Sequence, residues 1–153
     1  MPKESAGLLL FRRRAGDLEV FLVHPGGPFW AKKDRAAWSI PKGEFGSAEE
    51  PLAAAKREFA EETGFTPGGI HRALGSHKQP GGKTVHAWAL EADCDPAAIR
   101  SNTFTMEWPP RSGRQQEFPE IDRAAWFPLA AAREKVHQGQ VAVLDALARI
   151  VGT

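Results

Sequence analysis

Gly43-Glu44-Phe45-Gly46-Ser47-Ala48-Glu49-Glu50-Pro51-Leu52-Ala53-Ala54-Ala55-Lys56-Arg57-Glu58-Phe59-Ala60-Glu61-Glu62-Thr63-Gly64-Phe65 reads as a loop, a helix and a second loop. Ser47-Ala48-Glu49-Glu50 fits a capping box, in which the Ser47 hydroxyl accepts from the N–H of residue 50 and the Glu50 carboxylate reaches back to that of residue 47. A helix is therefore expected from about 48 to 63. Pro51 falls in its first turn, where a backbone N–H has no intrahelical partner anyway. Strong helix formers follow, and Gly64 supplies the left-handed residue that commonly ends a helix. Leu52, Ala55 and Phe59 recur at helical spacing and make the buried stripe.

The chemistry lies on another face. Glu58, Glu61 and Glu62 stand at i, i+3 and i+4, so three carboxylates project from neighbouring positions of one helix. Like charges at that spacing repel, and a divalent cation among the oxygens turns repulsion into ligation. All-oxygen donors point to Mg²⁺ or Mn²⁺ before zinc. Taken alone, three glutamates on a helix are more simply a solvated acidic face.

The whole pattern reverses that balance. Gly43, five residues, Glu49, seven residues, then Arg57-Glu58-apolar-x-Glu61-Glu62-x-Gly64-apolar resembles the signature of the Nudix hydrolase family at every defined position. Seven fixed residues at ordinary frequencies match by chance on the order of one time in a million for a chain this long. The resemblance implies an α/β (α+β) fold, an α/β/α sandwich on a mixed β-sheet, with the box as loop-helix-loop at about 43–65. It implies that Mg²⁺ or Mn²⁺ is held by Glu58 and Glu62, helped by Glu61 and a backbone carbonyl near Gly43. Arg57 is then an orienting partner of a glutamate, and the reaction is attack of water on a diphosphate linked to another group.

Composition agrees with one domain over 1–153. At 153 residues, 42% hydrophobic and 25% charged, the chain is long enough to bury a core and fits neither a disordered nor a membrane class. A net charge of +1 gives no general footprint for nucleic acid or a membrane surface. The single cysteine, Cys94, excludes an intrachain disulfide framework and suits the cytoplasm, with a surface thiol. Leu8-Leu9-Leu10-Phe11 is too short for a signal-peptide core or a membrane span. The expected partner is a small nucleotide; a homodimer stays open.

Along the chain, 5–14 and 18–24 read as a hairpin through Ala15-Gly16-Asp17. The loop with Phe29, Trp30, Lys32, Lys33 and Arg35 suits either a base and phosphates or an ordinary packed Ω-loop. Trp38 to Gly43 is expected as a short strand entering the box. Its Trp-x-Ile-Pro-Lys-Gly run resembles the version found in Nudix members acting on dinucleoside polyphosphates, diphosphoinositol polyphosphates and some nucleoside triphosphates. Strands are expected at 70–77 and 83–91, and one more around Thr103 to Trp108 within an irregular stretch whose Asn102, Phe104, Glu107 and Arg111 are candidate substrate selectors. Trp38, Lys42 and Arg111 are the expected substrate contacts.

Gln115 to Phe127 resembles the family's acidic loop and closing strand. Glu117 and Glu120 both qualify as the further carboxylate of that loop, and Glu120 ranks first from its spacing to Trp126. A helical turn at 128–135 and an amphipathic helix at 139–151 follow, the latter packed through Val143 or Leu144, Leu147 and Ile150.

Within an enzyme reading, nucleoside triphosphates and dinucleoside polyphosphates come before ADP-ribose and nucleotide sugars. Two other classes compete: a Nudix-like ligand-binding module without catalysis, whose usual sign is an eroded box, and a metal-buffering acidic helix, which would lack Arg57 and the bracketing glycines.

Overall fold

The computed structural model describes residues 3–152. Strands β1 (Glu4–Arg14) and β2 (Asp17–Pro25) form the expected hairpin. Ala15 and Gly16, with φ of 53° and 86°, make a two-residue turn closed by the Arg14–Asp17 pair, a geometry whose twist matches that of the strands.

That pairing extends only as far as Phe11–Val20. Beyond it the strands part, and residues 38–44 fill the gap. Ser39 exchanges backbone hydrogen bonds with Val23, and β3 (Lys42–Glu44) pairs antiparallel with Ser5–Gly7. Gly7 permits the approach, since a Cβ there would lie 2.7 Å from Lys42 Cβ and the Pro41 carbonyl oxygen. The expected strand at 38–43 is thus two isolated bridges, Trp38 with Val136 and Ser39 with Val23, followed by the three paired residues of β3.

On its other edge β1 runs parallel to β5 (Thr84–Glu91), which carries β4 (Arg72–Lys78) antiparallel outside it. β2 pairs with β8 (Ile121–Pro128). The sheet is therefore mixed and six-stranded, in the order β4-β5-β1-β2-β8 with β3 against β1. Ala6, Leu8, Leu10, Phe21 and Val23 on one face bury Ala54, Ala55 and Phe59 of α1 (Pro51–Thr63). Leu9, Phe11, Val20 and Leu22 on the other meet α2 (Leu129–Lys135) and α3 (Val141–Val151). Alternate side chains of each strand point to opposite faces, and the expected α/β/α sandwich follows. No helix among the described residues is long and apolar enough to cross a membrane.

Four local expectations are corrected. The helix begins at Pro51 and not at 48, and no side chain caps it. A residue before proline is driven to extended backbone, which Glu50 adopts (φ −70°, ψ 139°), so Ser47 is left outside the helix. Gln115–Pro119, expected as a loop, is a strand: β6 (Thr103–Glu107) and β7 (Gln115–Pro119) form a separate hairpin, with Phe104 and Phe118 ring centroids 5.9 Å apart. Ile150 lies toward solvent while Val143, Leu144 and Leu147 are all buried. Cys94 is half-buried, and desolvation first, with Asp93 second, pushes its thiol up to about 11.

Candidate active site

Thirteen residues of α1 carry the box, and Gly64 ends it as expected, with φ 81° and its N–H on the Ala60 carbonyl at 2.8 Å. Arg57 is the hub of the acidic face. Its Nε and Nη2 donate to the two Glu49 oxygens at 2.8 and 2.9 Å, and Nη1 donates to Glu58 at 2.6 Å and to Glu61 at 3.0 Å. A planar guanidinium suits such forked pairing, which accounts for arginine over lysine here. These bonds hold the Arg57 charge more firmly, Glu49 contributing most, and hold Glu49 below the usual carboxylate range.

Glu58 and Glu62 meet a different surrounding. The Glu58 carboxylate presses on the backbone of β3 so closely that a Cβ on Gly43 would overlap it, which explains the glycine. Burial raises Glu58 in spite of Arg57. Glu62 rises further, to about 8, through burial first and then the charge of Glu58; Lys42 opposes this, Glu120 adds to it, and the Lys42 backbone N–H favours the carboxylate. Burial pulls Lys42 down, Lys83 adds to that, and Glu62, Glu44 and Glu58 oppose it.

Glu120 reaches this neighbourhood through the backbone. The Glu61 carbonyl accepts from Asn102 N–H, the Asn102 carbonyl from Glu120 N–H, and the Glu120 carbonyl from Gly26 N–H, each at 2.8 Å. A side chain some sixty residues downstream is thereby tied to the last turn of α1.

Among the described residues no group of three or more His, Cys, Asp or Glu closes around a metal-sized point. Arg57 engages Glu58 and Glu61 instead. The donor set nevertheless fits Mg²⁺ or Mn²⁺: it is all oxygen, Glu58 and Glu62 are partly withdrawn from water, and the glycine beside Glu58 leaves its backbone within reach of the same carboxylate. A half-buried pair of like charges with one member driven to about 8 is what a cation would relieve.

The expected substrate contacts separate. Lys42 stays at the site. Trp38 does not: it is 4% exposed, its Nε1 donates to Asp34 at 2.8 Å, and its ring packs edge-on against His24 and Phe127. Arg111 lies at the tip of the β6–β7 hairpin, beyond the Glu107–Gln115 pair, which is itself four residues, about 13 Å, from the Thr103–Pro119 pair at its base. Glu107 accepts from the N–H groups of Arg111 and Gly113 and shapes that tip, Phe104 packs on Gly27 and Phe118, and Glu117 is exposed on β7. Lys83, 3.2 Å from Glu44, joins the neighbourhood of Lys42; a lysine just before an ordinary strand gives no sequence signal of this.

A cavity of about 690 Å³ lies elsewhere, around Arg12, Arg14, Asp93 and Trp126. Arg14 is seven residues along β1 from the Gly7–Lys42 pair, about 23 Å. Arg12 is already spent there on Glu19 and Asp93, both at 2.8 Å.

Comparison with known proteins places this geometry. The NUDIX domain family model matches residues 1–147. An 8-oxo-(d)GTP phosphatase of Mycolicibacterium smegmatis is 30% identical over 102 residues, which is 65% of this chain and 26% of that protein. The chain thus spans about a quarter of that relative. An Ap4A hydrolase of C. elegans, solved as a binary complex, superposes with a TM-score of 0.65 at 22% identity, covering 97% of both chains. The NUDIX domain of NrtR from Shewanella oneidensis, solved with ADP ribose, gives 0.68 at 15% identity over 99% of this chain and 89% of that one.

Proposed function

The chain belongs to the NUDIX domain family, and from that premise we propose that it is a divalent-cation-dependent hydrolase of a phosphoanhydride in a nucleoside diphosphate-linked compound. Nucleoside triphosphates and dinucleoside polyphosphates stand ahead of ADP-ribose in this reading; the relatives include an 8-oxo-(d)GTP phosphatase and an Ap4A hydrolase, and one NUDIX domain solved with ADP ribose. The observation that carries this reading is the packing of Glu58 on Gly43 beside a Glu62 driven to about 8.

Glu58 and Glu62 are the assigned holders of Mg²⁺ or Mn²⁺, with Glu61 and the Gly43 carbonyl supporting. When bound, the cation offsets phosphate charge and makes water easier to deprotonate. Arg57 fixes the direction of Glu58 and Glu61 and keeps Glu49 paired. Glu120 or Glu61 takes the proton of the attacking water as its oxygen bonds to phosphorus and the anhydride P–O bond breaks. Lys42 faces the departing phosphate and favours its new negative charge. The single cysteine fits a cytoplasmic setting.

A phosphate-release screen over nucleoside triphosphates, diadenosine tetraphosphate and ADP-ribose, with and without Mg²⁺ or Mn²⁺, tests the reading. Turnover that needs the cation and is lost in Glu62→Gln supports it. Full cation-dependent turnover by Glu62→Gln on every active substrate removes the assignment.

A further inference from the structure

Pro25 has no N–H to give, and the ladder between β2 and β8 shifts register beside it, leaving Asp122 as the extra residue. Gly26 supplies the next donor, and its N–H reaches the Glu120 carbonyl at 2.8 Å. Three consecutive residues at the end of β2 thus hold three consecutive residues entering β8. His24, fully buried, sets its Nδ1 2.9 Å from the Asp122 carboxylate; Pro25 pairs with Ile121; Gly26 holds Glu120.

The other flank of Glu120 is fixed as well. Its N–H donates to the Asn102 carbonyl at 2.8 Å, and the following N–H, that of Ile121, donates to Ser101 Oγ at 2.9 Å. Glu120 is exposed, yet the backbone groups on both sides of it have partners, so the surface position is a rigid mount. Among the described residues its carboxylate joins none of the ion pairs, whereas a Glu61 oxygen accepts from Arg57 at 3.0 Å. A group that accepts a proton in a reaction needs a free lone pair and a fixed place.

Gly26 contributes by its size too. A Cβ there would lie 2.0 Å from the Pro119 carbonyl oxygen and 3.0 Å from the carbonyl carbon, backbone atoms that no change of rotamer moves aside. Any side chain at 26 must displace the segment that carries Glu120.

Resting on the hydrolase reading, in which Glu120 or Glu61 takes the proton of the attacking water, we infer that Glu120 is the acceptor and that Gly26 and Ser101 are its positioning residues. Gly26 acts through the Glu120 carbonyl and the room it leaves for Pro119; Ser101 acts through the Ile121 N–H. The proton passes from water to the Glu120 carboxylate while the water oxygen bonds to phosphorus. The anhydride P–O bond breaks in that step, and its electron pair leaves on the departing phosphate.

The test is a double-mutant cycle on the nucleotide that the screen finds active, in Mg²⁺. Glu120→Gln should lower kcat about 10²-fold or more. Gly26→Ala should lower it about 10²-fold, the loss that a misplacement of about 1 Å brings, with KM within about twofold. In the Glu120→Gln background Gly26→Ala should cost less than about twofold further, because the group it displaces is already disabled. Ser101→Ala adds no bulk and should lower kcat about five- to tenfold, with Ser101→Thr restoring most of the loss. Independently of turnover, amide hydrogen exchange at Glu120 and Ile121 should be protected in the wild type and at least about tenfold faster in Gly26→Ala, with β1 unaltered.

No loss from Gly26→Ala, or an equal loss with and without Glu120→Gln, overturns the positioning role; so does unprotected exchange at both amides in the wild type. If Gly26→Ala fails to fold, Ser101→Ala and Ser101→Thr decide by the same cycle. An unaffected kcat in Glu120→Gln overturns this inference alone and leaves the hydrolase reading with Glu61 as acceptor. Absence of cation-dependent hydrolysis from the wild type removes the hydrolase reading, and this inference with it.

Discussion

The two sides of β3 are built in opposite ways. On the α1 side, Arg57, Glu58, Glu61 and Glu62 come from two turns of one helix, and a single glycine of β3 completes the arrangement. On the α3 side, Lys42, Lys83, Trp30 and His137 come from separate segments that only the sheet and two glutamines bring together, Gln140 accepting from the Ile40 N–H and Gln79 donating to the Gly139 carbonyl. The four charges of the α1 side sit on one rigid element, where helical period alone sets their spacing. The groups of the α3 side sit on or beside connecting segments, which can change without disturbing the helix.

The strongest way to break this contrast is on the helix. Glu62→Gln keeps the shape and removes the charge; kcat should fall about 10²–10³-fold, the range seen when one preorganised electrostatic contact is removed, in a Mg²⁺-dependent assay. A fall of that size from Lys83→Ala with an unaffected Glu62→Gln would reverse the roles of the two sides.

Next in size is an effect on stability. Glu62 is raised from 4.5 to about 8 in the fold. In the metal-free protein, folding therefore retains a proton that the unfolded chain releases at lower pH. The stability this group contributes is fully present below its unfolded pKa and is lost as pH rises through about 8. Denaturant unfolding in chelator should show wild type losing on the order of a few kcal/mol relative to Glu62→Gln between about pH 5 and pH 9. Mg²⁺ should restore most of it to wild type and little to the variant. Parallel pH curves for the two proteins would mean that Glu62 is not electrostatically strained.

Gly43→Ala sharpens the boundary between the sides, since the added methyl overlaps the Glu58 carboxylate. Overpacking of this kind costs about 1–3 kcal/mol, readable as a shift in the denaturation midpoint at constant slope. Here Gly46→Ala is the control, because a Cβ there meets nothing within 4 Å.

What was readable in the sequence follows the same division. The helix, its glycine stop, the hairpin at Ala15-Gly16 and the acidic face are local patterns, and the structure has them. The capping box was a local pattern too, but Pro51 constrained Glu50 more strongly than Ser47 could cap. β7 escaped because Gln115-Gln116-Glu117 has no apolar alternation; its strand state comes from pairing with β6. Lys83 and Gln140 escaped because nothing in their neighbourhoods along the chain marks them. Glu120 is ranked by its spacing to Trp126, and what brings it near Glu62, a three-link backbone strap through Asn102, is tertiary.

Trp38 offers the smallest and cleanest test, because the sequence places it among substrate contacts and the structure places it in the core. Its indole lies between His24 and Phe127, with ring centroids 5.2 and 5.0 Å away, and donates to Asp34, which also pairs with Lys135. Trp38→Phe keeps an aromatic ring there and deletes the donor. Losing one hydrogen bond to a charged acceptor, with partial loss of packing, should lower stability by about 1–2 kcal/mol, or roughly 2–8 °C in Tm for a domain of this size. KM for the active nucleotide should stay within about twofold. If Trp38→Phe instead raised KM several-fold at an unaltered Tm, the residue would contact substrate, and the division of labour across β3 would have to be redrawn with the core side of the strand inside the site.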